Sequence, residues 1–293
     1  MITSAAARRQ TGYKRQKSTS QAIITAVLAV GSLSMVIPFL WMLATSFDAG
    51  SMYDLVIPPR FWPSEPSLSA YRIAVTNIPL FRYMFNSLTV AAGNILIAVL
   101  SAICAGYAIS KIKFKGRNIV LLIALSTLMI PGEVTMTSRF YLFLKFGLTN
   151  SYFAFWLPSF AYVFGTFFAK QYMDSIPDSL RESARLDGAG ELRIAMRIYM
   201  PLCGALVATL VVLLFLGTWN DFMWPLIILS RPNMYTLQLG IAMFSMNQGS
   251  SSSSQLPAVR LAITCVSIIP VLIVYLFLQR YIVESIALSG VKQ

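Results

Sequence analysis

Residues 182–201 read ESARLDGAGELRIAMRIYMP, a charged amphipathic segment that lies between long apolar stretches. Pro177 precedes it and suits the first turn of a helix, while Gly188 suits the left-handed residue that ends one. After the glycine, apolar residues recur at helical spacing and leave the arginines on another face; they are Leu192, Ala195, Met196 and Tyr199. Residues 174–200 are therefore predicted to form two short helices joined at Gly188.

The chain as a whole has the composition of a membrane protein. Hydrophobic residues make up 57% of the 293 residues and charged residues only 12%, which describes a polytopic membrane protein better than a soluble one. The chain has no histidine and three cysteines in or beside apolar stretches, Cys104, Cys203 and Cys265. Neither a disulfide framework nor a metal site is expected from this pattern.

The apolar stretches can be counted as membrane spans, each of which needs about 20 largely apolar residues. Five stretches contain no charged residue, and a sixth, from Asn118, is interrupted by Glu133 after Pro131 and Gly132. We count the sixth as a span kinked at the proline, because neighbouring helices can satisfy the freed backbone groups. The predicted spans are approximately 21–46, 85–110, 118–138, 148–172, 201–229 and 259–282, in one transmembrane domain over 21–293 behind a basic tail at 1–20.

Lysine and arginine in the short loops predict the orientation of these spans. The tail has five bases and no acid, and the loop after the second span has Lys111, Lys113, Lys115 and Arg117 and no acid. Both termini are therefore expected in the cytoplasm, and the net charge of +12 is attributed to this orientation, with no nucleic-acid partner. The proline-rich segment 48–82 is predicted to be an irregular cap outside, and the serine-rich run 249–254 a flexible outer loop.

The segment 174–200 then lies on the cytoplasmic side, and three interpretations of it compete. It could be a solvated loop held by opposite charges three or four residues apart, and its balanced charge is compatible with that. It could be an interfacial helix, although its acids are unsuited to anionic headgroups. It could also be a docking helix that fits a groove in a partner protein.

A family resemblance favours the docking helix. The segment matches the E-A-A motif, with its glycine and trailing proline, that marks permease subunits of ABC importers, at Glu182, Ala184, Asp187, Gly188 and Pro201. The chain resembles in particular the maltose-type carbohydrate permeases, with supporting matches at 86–88, 219–222 and 236–240. Two positions depart from the pattern: Ser183 replaces the second alanine, and Ala195 replaces a frequent aromatic residue.

The resemblance implies an all-α type I importer permease with six transmembrane helices, a cytoplasmic coupling helix and a place in the bacterial inner membrane. It implies four kinds of partner besides lipid: a second homologous permease, expected to form a heterodimer, two cytoplasmic ATPase subunits, an extracytoplasmic solute-binding protein and a sugar substrate. The chain has no phosphate-binding G-x-x-x-x-G-K-S/T loop. We therefore expect no enzyme activity and no bound cofactor in this chain, with ATP and Mg²⁺ held by the ATPase subunits. The resemblance assigns the ATPase contact to Glu182, Ser183, Ala184, Arg185, Asp187, Gly188, Ala189 and Arg193.

Candidates for the substrate path come from polar and aromatic residues in the spans. Ionisable groups are costly in a membrane and are functional suspects, which singles out Glu133 and Asp221, and the aromatic rings could stack on sugars. The full set is Trp219, Asn220, Asp221, Glu133, Phe155 and Trp156. Each has a structural alternative: Asp221 as a polar residue packed between helices, Glu133 as an acceptor for backbone groups at the kink, and the aromatics as core or interface anchors.

The transported solute is less defined than the class of transporter. Overall likeness suggests a saccharide, with an acidic one of the alginate kind as the narrower expectation. The outer bases Arg139 and Lys145 would suit an acidic saccharide unless they are ordinary loop charges. An ABC permease for a non-sugar solute is the closest alternative. A secondary transporter would need an internal repeat or paired carboxylates, and the sequence shows no clear repeat and only two acids within the spans. A membrane enzyme would need a nucleophile with its base, or metal ligands, and the chain has no histidine.

Overall fold

The computed structural model describes residues 2–52, 58, 60–248 and 256–290 of the chain. Over these residues the chain is helical without β-strands, apart from one isolated bridge between Asp48 and Pro66. The predicted loop at 249–254 lies outside the described residues. The α-helices are α1 (Ile2–Ser46), α2 (Ser69–Asn77), α3 (Leu80–Lys111), α4 (Arg117–Thr127), α5 (Gly132–Lys145), α6 (Phe153–Trp156), α7 (Val163–Asp174), α8 (Ser179–Leu186), α9 (Glu191–Ile194), α10 (Met200–Leu202), α11 (Gly204–Asn220), α12 (Met223–Ile228), α13 (Leu237–Gln248) and α14 (Pro257–Gly290).

The chain forms two compact units, one of residues 1–74 and 251–265 and one of residues 75–250 and 266–293. In the first unit, the Ser46 hydroxyl lies 2.8 Å from the Tyr71 hydroxyl. The buried carboxylate of Asp48 accepts hydrogen bonds from the Ser51 hydroxyl at 2.9 Å and from the Glu65 N–H at 3.0 Å. These bonds hold the segment after α1. Residues 60–68 are irregular as predicted, whereas the prediction of an irregular segment over 48–82 is wrong for α2 and for the start of α3.

Three helices are long and apolar enough to cross a membrane alone: α3, and the portions Ile23–Ser46 of α1 and Pro257–Arg280 of α14. Two bent pairs raise the number to five at most, by length and composition. One pair is α4 with α5, and the other joins Glu191–Leu202 to α11. The all-α membrane class is therefore confirmed, while six spans stays a prediction.

The third predicted span, 118–138, is not a helix with a proline kink. Helix α4 ends at Thr127, α5 begins at Gly132, and the two helices meet at 97°. Pro131 occupies the N-cap position of α5. Since proline lacks an N–H and fixes its φ angle, it suits the start of a helix better than its interior, and the chain uses it there to begin a new helix.

The fourth and fifth predicted spans are also interrupted. Between α6 and α7, residues Leu157–Ala161 form a 3₁₀ helix with Pro158 near its start, so 148–172 is not one continuous helix. The fifth, 201–229, stops at Asn220 and resumes as α12 after an extended residue, Asp221. The predicted helical continuity of these two stretches is therefore wrong, and their place in the membrane stays a prediction.

Helix α3 is the centre of the second unit and packs against α7 and α11. Gly106 permits the contact with α7, because a Cβ there would lie 2.5 Å from the Ala169 Cβ and 2.9 Å from the Lys170 backbone nitrogen. One hydrophobic cluster joins Ile103 and Tyr107 of α3 to buried residues of three other segments, Ala169, Met173, Ile194, Tyr199, Leu206 and Leu210. The amphipathic segment is thus built into the core of this unit.

Candidate functional site

The segment 174–200 folds as two helical pieces around a left-handed glycine. Helix α8 ends at Leu186, and Gly188 has a φ of +79°. The Gly188 N–H donates to the Arg185 carbonyl and the Ala189 N–H to the Ala184 carbonyl, both at 3.0 Å, which closes the end of α8. Helix α9 follows and continues as a π-helical stretch, Ala195–Tyr199. The expected bend is present, but Pro177 lies before α8 and not in its first turn.

Glu191 fastens the two pieces to each other and to α3. Its carboxylate accepts hydrogen bonds from Arg181 Nη2 at 2.7 Å and Nε at 3.1 Å, and one from the Tyr107 hydroxyl. The hydrogen bonds from Arg181 lower the pKa of Glu191, and Glu191 raises the pKa of Arg181. A two-pronged arginine–carboxylate pair fixes orientation as well as distance, so α8 cannot rotate freely against α9.

Lys111, at the end of α3, provides a second attachment. Its Nζ lies 2.6 Å from Asp178 Oδ1 and donates to the Ile176 carbonyl at 2.6 Å, and only 5% of its side chain is exposed. The hydrogen bond from Lys111 lowers the pKa of Asp178. Sequence analysis treated Lys111 as a loop charge that reports orientation. Its position at the last residue of an apolar stretch was the only signal of this structural role.

The pairing pattern bears on the solvated-loop interpretation. Lys170 and Asp174, at 2.6 Å, form an ion pair four residues apart on one helix. The bonds of Arg181 to Glu191 and of Lys111 to Asp178 instead join separate elements. Ion pairs between helices hold the segment in a fixed position, whereas pairs along one helix would leave it free to move. The pattern therefore argues against the solvated-loop interpretation.

The buried face of the segment differs from the predicted one. Ile194, Ala195 and Tyr199 are buried in the core cluster, whereas Leu192, predicted to share their face, is 68% exposed. The π-helical turn at Ala195–Tyr199 widens the helix by one residue per turn. A period of 3.6 residues therefore placed Leu192 on the buried face, where the structure has Ile194.

The residues left in solvent form one surface around the bend, which we call the coupling surface. It consists of the exposed residues Glu182, Ser183, Arg185, Leu186, Asp187, Gly188, Leu192 and Arg193. Leu186 is 90% exposed and was missed by sequence analysis, although a leucine directly before the acid and glycine of the motif was visible. Two predicted contact residues differ: Ala184 is buried beneath the surface and Ala189 is half-buried. That this surface meets an ATPase stays a prediction.

The aromatic candidates for a substrate path are packed within the chain. Trp219 is 2% exposed, stacks on Phe215 with ring centroids 5.4 Å apart, and donates its indole N–H to the Ser267 carbonyl at 3.2 Å. Phe155 is buried in a second core cluster. Trp156 stacks on Tyr152 with ring centroids 5.6 Å apart. The arrangement agrees with the alternative of core packing, since neither Trp219 nor Phe155 presents a free ring face.

The polar candidates are arranged around chain breaks. The Asp221 carboxylate accepts a hydrogen bond from the Trp224 N–H at 3.3 Å and so caps α12. The exposed Asn220 bonds back to the Leu216 carbonyl at 2.9 Å. Glu133 is exposed in the first turn of α5, and no hydrogen bond from a described backbone N–H reaches it. The expected role of Glu133 in satisfying freed backbone groups is therefore not seen.

Arg139 and Lys145 are helical residues rather than loop charges. Both lie in α5, with Lys145 in its last turn. The guanidinium carbon of Arg139 lies 3.7 Å from the centroid of the Trp224 ring, a cation–π contact. Arg139 is therefore already held by an aromatic partner within the chain.

Known proteins similar to this chain are membrane transport subunits. Residues 94–287 match the family described as binding-protein-dependent transport system inner membrane component. The arabinooligosaccharides transport system permease protein AraQ of Halalkalibacterium halodurans is 32% identical over 282 residues, which covers 94% of this chain and 99% of that protein. The diacetylchitobiose uptake system permease protein NgcG of Streptomyces coelicolor is 29% identical over 274 residues, 91% of this chain and 87% of that protein.

A solved structure shares the fold as well. It is a bacterial ABC transporter involved in the import of the acidic polysaccharide alginate, and one of its chains superposes with a TM-score of 0.76 at 26% identity, over 89% of this chain and 96% of that chain. The type I importer permease fold expected from the motif residues is thereby confirmed. Since the family match covers more than half of the chain and AraQ is matched over nearly its whole length, this protein belongs to the binding-protein-dependent transport system inner membrane components, the permease subunits of ABC importers.

Proposed function

We propose that this chain forms one half of the path by which an ABC importer carries a sugar or oligosaccharide across the bacterial inner membrane. Two relatives are permeases for arabinooligosaccharides and diacetylchitobiose, and the similar solved transporter imports alginate. These substrates have the saccharide class in common and little else. The proposal therefore extends to the class, with an acidic saccharide as the narrower possibility to test.

The observation that carries the proposal is the attachment of the coupling surface to the membrane helices. Directly behind it, Glu191 binds both Arg181 of α8 and Tyr107 of α3. Beneath it, Ile194 and Tyr199 pack in the same cluster as residues of α3, α7 and α11. Since packed interiors shift as units and do not deform smoothly, a displacement of α8 would be transmitted to all three helices.

The energy source lies outside the chain on this proposal. The 293 residues contain no phosphate-binding loop of the ATPase type, so ATP and Mg²⁺ would be bound by two separate cytoplasmic subunits. Closure of those subunits would push the coupling surface, and Leu186, 90% exposed beside charged residues, would be the apolar anchor in their groove. A helix that docks in a partner's groove places exposed apolar side chains in that groove. Rocking of the helices would then open the path to each side in turn.

The orientation and the other partners follow from the same proposal. The coupling surface would face the cytoplasm together with both termini, in agreement with the five bases of the tail. A second, homologous permease would complete the path, and an extracytoplasmic binding protein would deliver the saccharide. The apolar side chains of α1 between residues 23 and 40 are exposed within this chain, which leaves a wide surface for lipid and for the second permease.

Site-specific crosslinking tests the coupling surface. Starting from a variant without Cys104, Cys203 and Cys265, Leu186→Cys should crosslink to the ATPase subunit in membranes. Trp62→Cys is the control, because Trp62 is 82% exposed in the segment predicted to lie outside. Crosslinks from position 186 only to lipid, or an ATPase adduct at position 62, would contradict the proposal.

Reconstitution tests the substrate class. The assembled transporter with its binding protein is placed in proteoliposomes, and ATP hydrolysis is measured with neutral saccharides, uronate saccharides, amino acids and glycerol phosphate. A saccharide should raise hydrolysis and be taken up, and a response to uronates alone would support the acidic class. Stimulation by an amino acid alone would reject the saccharide assignment and leave the coupling mechanism standing.

A further inference from the structure

A polar cavity of about 490 Å³ lies at the start of the segment 174–200, and the proposed mechanism assigns it no ligand. The end of α3, the start of α4, the end of α7 and the link from α7 to α8 line it. Its volume is many times the roughly 30 Å³ that one water occupies in the liquid. A group much larger than a few waters can therefore enter it.

The cavity wall has an excess of positive charge. Among its basic residues, Lys111 is matched by Asp178 and Lys170 by Asp174, each pair at 2.6 Å. Arg117 also lines the cavity and is half-buried. Its side chain forms no ion pair or hydrogen bond with any part of the chain that the structure describes. One guanidinium thus remains available for an anion.

Backbone groups add to this excess. Arg117 is the first residue of α4, and no side chain caps that helix end. The first N–H groups of a helix lack partners within it and carry the positive end of its dipole. Asn118, the next residue, also lines the cavity and contributes an amide donor. A guanidinium, an amide and free backbone N–H groups together suit the oxygens of a phosphate.

The surroundings of the cavity indicate an amphipathic ligand. One turn into α4 the exposed residues become apolar: Ile119, Leu122 and Ile123 are each more than half exposed. On the other side of Arg117 the loop carries Lys113 and Lys115, both exposed. A soluble anion would use the charges but not the apolar side of the helix. A phospholipid would use both, with its headgroup in the cavity and an acyl chain along α4.

We propose that this cavity binds the phosphate headgroup of an anionic phospholipid, held by Arg117 and the first turn of α4. Basic pockets between membrane helices are known as headgroup sites in general. The bound lipid would lie against Asp178 and Lys111, the pair that attaches the start of α8 to α3. The lipid would thereby stiffen the link through which the coupling surface acts.

Lipid binding to the assembled transporter tests the proposal. Purified transporter is titrated with phosphatidylglycerol or phosphatidylcholine in phosphate-free buffer at high ionic strength, where exposed charges are screened more than those in a cavity. Native mass spectrometry counts the bound lipids. The wild-type protein should retain one phosphatidylglycerol per copy of this chain, and Arg117→Gln should weaken that retention about tenfold.

Lys115→Gln is the matched control, because it removes one positive charge two residues before Arg117 and outside the cavity lining. It should change retention less than about twofold under these conditions. An equal loss in both variants, or no preference for phosphatidylglycerol, would overturn the site. Displacement of the lipid by millimolar inorganic phosphate would also overturn the lipid assignment in favour of a free anion. Unchanged melting of Arg117→Gln in phosphatidylcholine excludes misfolding, and no result depends on which solute is transported.

Discussion

The bend at Gly188 allows a sharp test of the proposal that α8 acts as a lever, which transmits the closure of the ATPase subunits to the membrane helices, because the chain supplies its own control. Gly188 has a φ of +79° and open space where a Cβ would lie. Gly190, two residues later, has equally open space but a φ of −72°. Alanine at either position therefore meets no steric clash, and only the backbone conformation separates the two variants.

The expected magnitudes follow from backbone preference. A non-glycine residue in the left-handed region costs about 1–2 kcal/mol, so Gly188→Ala should weaken the bent form about fivefold to thirtyfold relative to alternatives. Gly190→Ala should be neutral or slightly stabilising, since it reduces the freedom of the unfolded chain. Gly188→Pro is more severe, because proline fixes φ near −65° and removes the Gly188 N–H that donates to the Arg185 carbonyl at 3.0 Å.

The assay measures uptake and saccharide-stimulated ATP hydrolysis in proteoliposomes, with membrane insertion scored separately. Gly188→Pro should abolish uptake while the protein remains inserted, Gly188→Ala should reduce it, and Gly190→Ala should leave it at the wild-type level. Normal uptake by Gly188→Pro would refute the lever. Equal losses in the two alanine variants would show that the loop needs small residues and not a left-handed bend.

Four further outcomes are expected. Glu191→Gln should lower coupled transport severalfold, since it removes the charge that binds Arg181; uptake at equal expression checks it. The melting temperature of Arg185→Gln should differ little from that of the wild type, because the contact of Arg185 with Glu191 is 3.5 Å long and its side chain is 59% exposed. Because the folded-state pKa of Glu191 lies below its ordinary value of 4.5, its contribution is complete above pH 4.5 and is lost as the pH falls through the lowered pKa. The wild-type minus Glu191→Gln difference in melting temperature should accordingly be constant from pH 5 to 8 and shrink in more acidic buffer. Gly106→Ala should lower the yield of folded protein, because its Cβ would press on Ala169 and the backbone of Lys170, while Gly31→Ala, with nothing within 4 Å, should not.

The sequence predicted the class of the fold and the bend, because both depend on local chemistry. Apolar length decides membrane burial, and a glycine with no competing requirement is free to adopt the left-handed conformation that ends α8. The spans interrupted at Pro131 and Pro158 were harder to predict. In each, the composition satisfies the membrane requirement whether the helix continues, kinks or restarts, so tertiary packing makes the choice.

The contacts that make the segment 174–200 rigid could not be predicted, because their partners are distant in the chain. Glu191 and Tyr107 are 84 residues apart, and Lys111 and Asp178 are 67 apart. In the sequence, each of these residues looks like a solvated charge or a core aromatic. Only the packing of α3 against α7, which Gly106 permits, brings the end of α3 to the start of α8.

That packing also explains why a mostly polar segment can serve as a lever. A polar element alone has too little apolar surface to hold a fixed position against a force, and surface ion pairs contribute little. Here Ile194 and Tyr199 anchor the segment in the core, and Arg181 and Glu191 then fix the angle of α8 on that anchor. The apolar contacts therefore resist displacement of the segment from the core, and the charged contacts set the orientation of α8. A variant that removes only the charges should uncouple transport while leaving the fold intact, whereas one that empties the core beneath should lose both.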